Sequence, residues 1–288
     1  MNKKRFLIIA VCAALAAAVG LCSYIAADNS RVRLQKYTVE SEKLPMSFDG
    51  FKIAVISDFH NGKNGEKTAY AVRMAKPDII CVLGDLVNMR DTDFTNAVSL
   101  MDDLLHIAPV YFVNGNHEQS NMIINNFDKP AIQTELEKTE VKILNNECVT
   151  LERMGQSINL AGYMDNNFDD VNTYFRDKAK SELTALGKTF DTSKYTICLI
   201  HRGQYFDFLS GIEGYDLFLS GHLHGGLVNI PKIREKILNE HFGTDKYVRG
   251  MYRENGKTEI ISGGLSEEKK IPRVFNTPEV VSVELKVK

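Results

Sequence analysis

Hydrophobic and polar positions along this chain fall into short apolar runs that stop at Gly, Asp, Asn or His. A different pattern precedes them. Phe6 to Ala27 carries no charge and is rich in Leu, Ile, Val and Ala. At about 1.5 Å per residue, a helix of this length crosses a bilayer core of roughly 30 Å. Residues 28–50 are polar, with Pro45 and Asp49-Gly50 as turn signals, and read as a linker. The rhythm then begins. Phe51 to Ile56 is a buried strand that stops at Ser57-Asp58-Phe59-His60, and a helix from Glu66 to Lys76 follows, ended by Pro77. Ile79 to Leu83 is a second strand, closed by Gly84-Asp85. Phe94, Ala97, Val98, Met101, Leu104 and Leu105 mark one helix face, with Asp91 or Thr92 placed to cap its start. Val110 to Val113 is a third strand, closed by Asn114-Gly115-Asn116-His117-Glu118. This alternation predicts parallel strands with helices on their faces. With no second composition boundary, 51–288 reads as one domain.

The centre is less regular. A helix is expected over 131–138, short strands near 141–144, 148–151 and 157–162, an acidic loop at Asp165–Asp170, and a helix over 171–186. Tyr195 to Ile200 is a strand ending at His201. Asp216 to Ser220 is another, and it runs into Gly221-His222-Leu223-His224-Gly225-Gly226. In extended chain, residues two apart project to the same side, so both imidazoles of that segment can face one site. Residues 229–250 read as a charged, irregular insertion, and 258–261 and 280–287 as closing strands.

Composition changes this picture in three places. Hydrophobic content of 44% and charged content of 25% are ordinary globular values. Lys3, Lys4 and Arg5 are the only charges before Asp28, so the remainder carries 32 basic and 37 acidic residues without a basic tract. That argues against nucleic acid as a partner. None of the five cysteines has Cys-x-x-Cys spacing: Cys12 and Cys22 lie in the apolar segment, Cys81 and Cys198 in strand runs, and Cys148 stands alone. Buried thiols are expected, not disulfides or a thiolate metal site. The apolar segment has a poor cleavage site, with bulky Ile25 three residues before the break. Residues 1–27 are therefore expected to remain as a single-pass membrane anchor. Arg31, Arg33 and Lys36 nearly balance the basic start, but so short a tail favours the N-terminus inside and the globular part outside the cytoplasm.

The strand ends carry the candidate chemistry. Asp58, His60, Asp85, Asn116, His117, His201, His222 and His224 all fall at C-terminal strand edges, and these include five of the seven histidines. Ligands of open α/β sheets bind at that edge. Two carboxylates, an amide oxygen and four imidazoles, with one imidazole to spare, form a nitrogen and oxygen donor set for Mn, Fe or Zn. Seven ligands exceed one ion and suit two ions about 3.5–4 Å apart sharing a carboxylate. His106 reads as a helix C-terminal residue, and the Asp165 loop as a solvated turn. His241 and Arg202 are weaker candidates for substrate contact.

Asp58-x-His60, Gly84-Asp85, Gly115-Asn116-His117-Glu118, His201 and Gly221-His222-x-His224 resemble the five-block motif of calcineurin-like metallophosphoesterases. Phe48-Asp49-Gly50-Phe51, Gly225-Gly226, Tyr247-Val248-x-Gly250-x-Tyr252, Ser262-Gly263-Gly264-Leu265 and Pro278-Glu279-Val280 resemble the membrane-associated bacterial branch. The resemblance implies a four-layer αββα sandwich, two mixed sheets flanked by helices. It implies that Asp58, His60 and His224 hold one ion, that Asn116, His201 and His222 hold the other, and that Asp85 and a hydroxide nucleophile bridge them. Mn2+ is the expected metal. His117 is left as the catalytic acid. Many relatives have Asp after that histidine where this chain has Glu118, which puts the orientation of His117 in question. The expected activity is hydrolysis of a phosphoester or pyrophosphate near a membrane surface. A lipid-linked substrate is expected by analogy with relatives that cleave such pyrophosphates. A nuclease, a cyclic-nucleotide phosphodiesterase and a non-catalytic binding scaffold are the competing readings.

Overall fold

The structure, a computed structural model, describes residues 3–165, 173–242, 246–266 and 272–288, with only the backbone at 173–175 and 241–242. In chain order its elements begin with α1 (Lys3–Asn29), β1 (Arg33–Ser41), β2 (Lys52–Ile56), α2 (Gly65–Ala75), β3 (Ile79–Val82), α3 (Thr95–Leu105) and β4 (Val110–Phe112). They continue with α4 (Asn116–Asn125), α5 (Ala131–Leu136), β5 (Lys142–Ile143), β6 (Glu147–Arg153), β7 (Gln156–Tyr163) and α6 (Thr173–Gly187). The chain closes with β8 (Thr196–Arg202), α7 (Phe206–Leu209), β9 (Leu217–Gly221), α8 (Pro231–Phe242), β10 (Gly250–Glu254), β11 (Lys257–Ile261) and β12 (Glu279–Val287).

Strands apolar on both faces demand cover on both faces, and this requirement sets the layers. Ile53 and Val55 of β2 point into a core shared with Leu160, Leu199, Leu219 and Ile260. The alternate residues Ala54 and Ile56 pack with Val72, Leu100 and Leu104 from α2 and α3. On the far side, Cys198, Ile200 and Phe218 meet Leu183 and Leu186 of α6. The result is helix, sheet, sheet, helix. The first sheet has the order β1-β12-β2-β3-β4-β5 and the second β10-β11-β9-β8-β7-β6. Both are mixed: β2 to β5 and β7, β8, β9 and β11 run parallel, while β12 pairs antiparallel with β2, β6 with β7 and β10 with β11. The ends of β2, β3 and β4 come together with those of β8 and β9 along one edge.

Four segments differ from expectation. Residues 28–50 are not simply a linker: β1 pairs in parallel with β12 from Arg33↔Glu279 to Ser41↔Val287. It is an edge strand with Val39 as its buried residue, so its sequence reads polar. The 229–250 insertion is not irregular throughout, because it contains α8. This helix commits Leu238 to a small core with Leu223 and Val248, too little to create an apolar stripe. α4 escapes pattern reading because its buried residues are polar, namely Glu118, Gln119 and Asn121. β10 is an edge strand without a fully buried residue. The start of α3 is also shifted: Asp93 Oδ1, not Asp91 or Thr92, accepts from the Thr95 N–H at 2.9 Å. Most of the Asp165–Asp170 loop and the His241 side chain lie outside the described residues. Cys81 and Cys198 are buried, Cys148 is half-buried, and all five thiols are free. Helix α1 is long and apolar enough to cross a membrane, by length and composition.

Candidate metal centre

Backbone geometry at the strand ends is unusual. Asp58, His60, Asp85, His222 and His224 have φ of 54°, 50°, 51°, 77° and 49°, in the left-handed region. Such conformations cost about 1–3 kcal/mol each and persist only where surroundings enforce them. Close backbone packing does the enforcing here. A Cβ on Gly84 would lie 2.4 Å from the Gly115 nitrogen, and one on Gly115 would lie 2.4 Å from Asp85 Oδ1. The turns after β3 and β4 therefore touch backbone to backbone, which only glycine permits.

Glu118 welds these turns together. Its buried carboxylate accepts from the N–H groups of Asp85 (2.8 Å), Val87 (3.2 Å) and Gly115 (2.7 Å). Without it, three buried donors would go unpaired at about 1–3 kcal/mol each. Glu118 thus does not orient His117. Met89 does so, its N–H donating to His117 Nδ1 at 3.2 Å. Burial and the nearby Asp85 charge push the Glu118 carboxyl up to about 7, against those three donors.

The structure brings the strand-end carboxylates and imidazoles to one place. Ligand atoms of Asp58, His60, Asp85 and His224 lie within 4.8 Å of one another, as do those of Asp85, His201 and His222. Asp85 belongs to both groups. Its Oδ2 is 3.2 Å from His201 Nε2, 3.7 Å from His60 Nε2 and 4.0 Å from His117 Nε2. His224 Nε2 lies 3.6 Å from Asp58 Oδ1, and His222 Nδ1 lies 3.1 Å from His201 Nε2. Asn116 stands at the first turn of α4, beside this cluster in sequence. His117 is the more open imidazole, 22% exposed against 9% for His60 and 0% for His201.

Most of the imidazoles are turned by a partner on the nitrogen away from the cluster. His201 Nδ1 sits 2.7 Å from the Leu83 carbonyl, His60 Nδ1 is 3.2 Å from Asn88 Oδ1, and His224 Nδ1 is 2.5 Å from Ser266 Oγ. Ser57 Oγ donates to Asp58 Oδ2 at 2.6 Å. Such outer partners fix which ring nitrogen faces a metal. Asn88 and Ser266 escaped sequence reading. Asn88 follows Asp85 by three residues between apolar Val87 and Met89, and Ser266 ends the Ser-Gly-Gly-Leu-Ser run, so each had only a weak local signal. Arg202 is buried, with Nε 2.5 Å from Asp165 Oδ2 and Nη1 3.4 Å from His222 Nε2. His106 turns to its own helix, its Nδ1 2.8 Å from the Asp102 carbonyl, as its position suggested.

Charge states favour metal ligation. Burial pulls His60 down to about 3 and holds His222 and His224 well below the ordinary imidazole value, so these rings are neutral at pH 7. Burial works to raise Asp85, but the surrounding imidazoles, His201 first, outweigh it and hold the carboxyl well below its usual range. Burial also works to lower His201, and Asp85 overrides it, taking the ring up to about 10. A divalent cation would displace that proton, since ligands bind deprotonated. The donor set fits such ions for a second reason: His60 Nε2 and Asn116 Oδ1 are buried without a hydrogen-bond partner among the described residues. Two donor groups joined by one carboxylate suit two divalent ions.

This chain is similar to known proteins over most of its length. The profile of the calcineurin-like phosphoesterase family matches residues 51–226. An uncharacterized metallophosphoesterase of Aquifex aeolicus is 30% identical over 94% of this chain and 98% of its own length. A bovine transmembrane protein with a metallophosphoesterase domain is 29% identical over 71% of this chain, which spans 47% of that protein. Among solved structures, a dimetal phosphatase from Danio rerio aligns over 82% of this chain and 93% of its own, with TM-score 0.49 and 12% identity.

Proposed function

Since this chain belongs to the calcineurin-like phosphoesterase family and is a metal-dependent phosphoric-ester hydrolase, we propose that it cleaves phosphoester or pyrophosphate bonds at a membrane surface. The observation that carries this reading is the sharing of Asp85 by two donor groups where strand ends of the two sheets meet. Asp58, His60 and His224 are the residues for one ion, and Asn116, His201 and His222 for the other. Mn2+ is the proposed metal, with Fe and Zn2+ suited to the same donors. Two such ions, when bound, supply Lewis acidity toward a phosphoryl oxygen and bring the pKa of water down toward about 7.

The chain's own contribution is position and protons. Asp85 is held anionic by its imidazole neighbours. Its Oδ1 also accepts from the His117 N–H at 2.8 Å, so the backbone of the acid candidate is tied to the shared carboxylate. Because Met89 donates to Nδ1, His117 presents Nε2 to the site. That nitrogen is the one placed to give a proton to the leaving oxygen when the ring is imidazolium, a form in which Nδ1 also carries a proton and gives up the Met89 contact. The test is a panel of mono-, di- and pyrophosphate esters with full-length protein in detergent. At least one class should turn over, stop with chelator and resume with Mn2+. No turnover of any class by Mn-loaded protein would sink the reading.

Residues 1–27 are proposed as the retained anchor and the domain from residue 51 onward as catalytic, on the outer side of the membrane. The uncharged length of α1 supports the anchor. Full-length protein should fractionate with membranes, resist high salt and be released by detergent. A soluble mature form starting at Asp28 would refute retention.

A further inference from the structure

Beside the metal centre lies a second cavity, of about 350 Å3, lined mainly by polar groups. Three arginines line it, Arg33 on β1, Arg234 on α8 and Arg249 just before β10. Gly225 forms part of its wall, so it begins one residue from His224. The two sites share one network. The His224 carbonyl accepts from Asn276 Nδ2 at 2.7 Å and Arg273 Nη1 at 3.2 Å, and Asn276 Oδ1 accepts from Arg249 Nη1 at 2.8 Å.

The charge of the wall is unbalanced. Buried Glu279 receives Arg249, Arg33 at 3.2 Å and the Gly263 N–H at 2.8 Å. Among the described residues, Asp28 is a further carboxylate nearby, and it accepts from the Thr277 hydroxyl. Arg234 has no carboxylate partner among the described residues, bonding only to Asn229 Oδ1 at 3.1 Å. The fold nevertheless takes trouble to place it. A Cβ on Gly226, at φ +77°, would lie 2.8 Å from Arg234 Cγ, so glycine there lets the arginine stem lie against the His224 turn. Clustered guanidiniums recognise phosphate through paired N–H groups.

The cavity also faces the end of the anchor helix. Asn29 Nδ2 donates to the Arg273 carbonyl at 2.8 Å, and the rings of Tyr24 and Phe275 are 5.8 Å apart. Phe275 lines the cavity and is 48% exposed. Aromatic and arginine side chains at a helix exit are the pairing that sits at the headgroup level of a bilayer.

We infer that the Arg33–Arg234–Arg249 cavity binds a phosphate group of an amphiphilic substrate, apart from the bond being cleaved, presented from the membrane surface. This rests on the membrane-surface reading above. The test is equilibrium binding by full-length protein in detergent, with and without Mn2+. The probes are inorganic phosphate, which carries the anion alone, and dihexanoyl phosphatidic acid, which adds acyl chains. One binding event per chain should persist without Mn2+ and survive Asp85→Asn. It should weaken at least about tenfold in Arg33→Gln/Arg234→Ala, and phosphatidic acid should bind tighter than phosphate. Neither substitution strips Glu279 of Arg249, and Arg234→Glu alone, with an unchanged melting temperature as control, should weaken binding equally. Binding that needs Mn2+, or that the arginine variants leave intact, would overturn the subsite while leaving the hydrolase reading untouched. Equal affinity for the two probes would keep phosphate recognition and overturn its presentation by a lipid. Arginine-dependent binding by a protein that hydrolyses no ester would sink the activity and leave the cavity standing.

Discussion

Asp85→Asn is expected to lose most of the bound metal and to fall in activity by about 10³-fold or more. The substitution keeps shape and can keep the Oδ1 acceptor for the His117 N–H. It removes the charge around which both donor groups close. A divalent ion supplies several kcal/mol of charge stabilisation, and each loss of about 1.4 kcal/mol is tenfold in rate. Metal analysis of protein produced with added Mn should approach two ions per chain for the wild type and well under that for the variant. Retention of both ions by Asp85→Asn would remove Asp85 from the shared position.

His117→Asn is expected to leave both ions in place and to lower turnover of an alkyl phosphodiester by about 10²–10⁴-fold. A nitrophenyl ester should suffer far less, because its leaving group departs without a proton. The reason lies in geometry: His117 Nε2 stands 4.0 Å from Asp85 Oδ2, at the open side of the cluster, while its Nδ1 is occupied by the Met89 N–H. Equal losses on both esters with metals intact would assign His117 to electrostatic stabilisation or positioning. A missing ion would make it a ligand.

The two variants also separate what was legible in the chain from what was not. Asp85 and His117 both end apolar strand runs, and a run that stops at Gly-Asp or Gly-Asn-His declares burial and chemistry together. The role of Glu118 was not legible. From sequence it could only be placed beside His117, whereas the fold turns its carboxylate to three backbone donors on two separate turns. Asn88 and Ser266 reach their imidazoles across 28 and 42 residues of chain. No local pattern encodes such distances.

By itself, then, the sequence determined the strand rhythm, the five histidines at strand ends, the nitrogen and oxygen donor set and the apolar N-terminal helix. Each is a property of a residue and its near neighbours, because periodicity reports burial and side-chain type reports chemistry. Tertiary structure alone decided that polar residues 33–41 complete a sheet, that α8 lies within the charged insertion and that α4 buries a polar face. It alone gathered Arg33, Arg234 and Arg249 into one cavity. Edge strands and lightly packed helices need little apolar surface and so leave little pattern. A charged cavity assembled from three distant segments leaves none, because its members meet only once the sheets have paired.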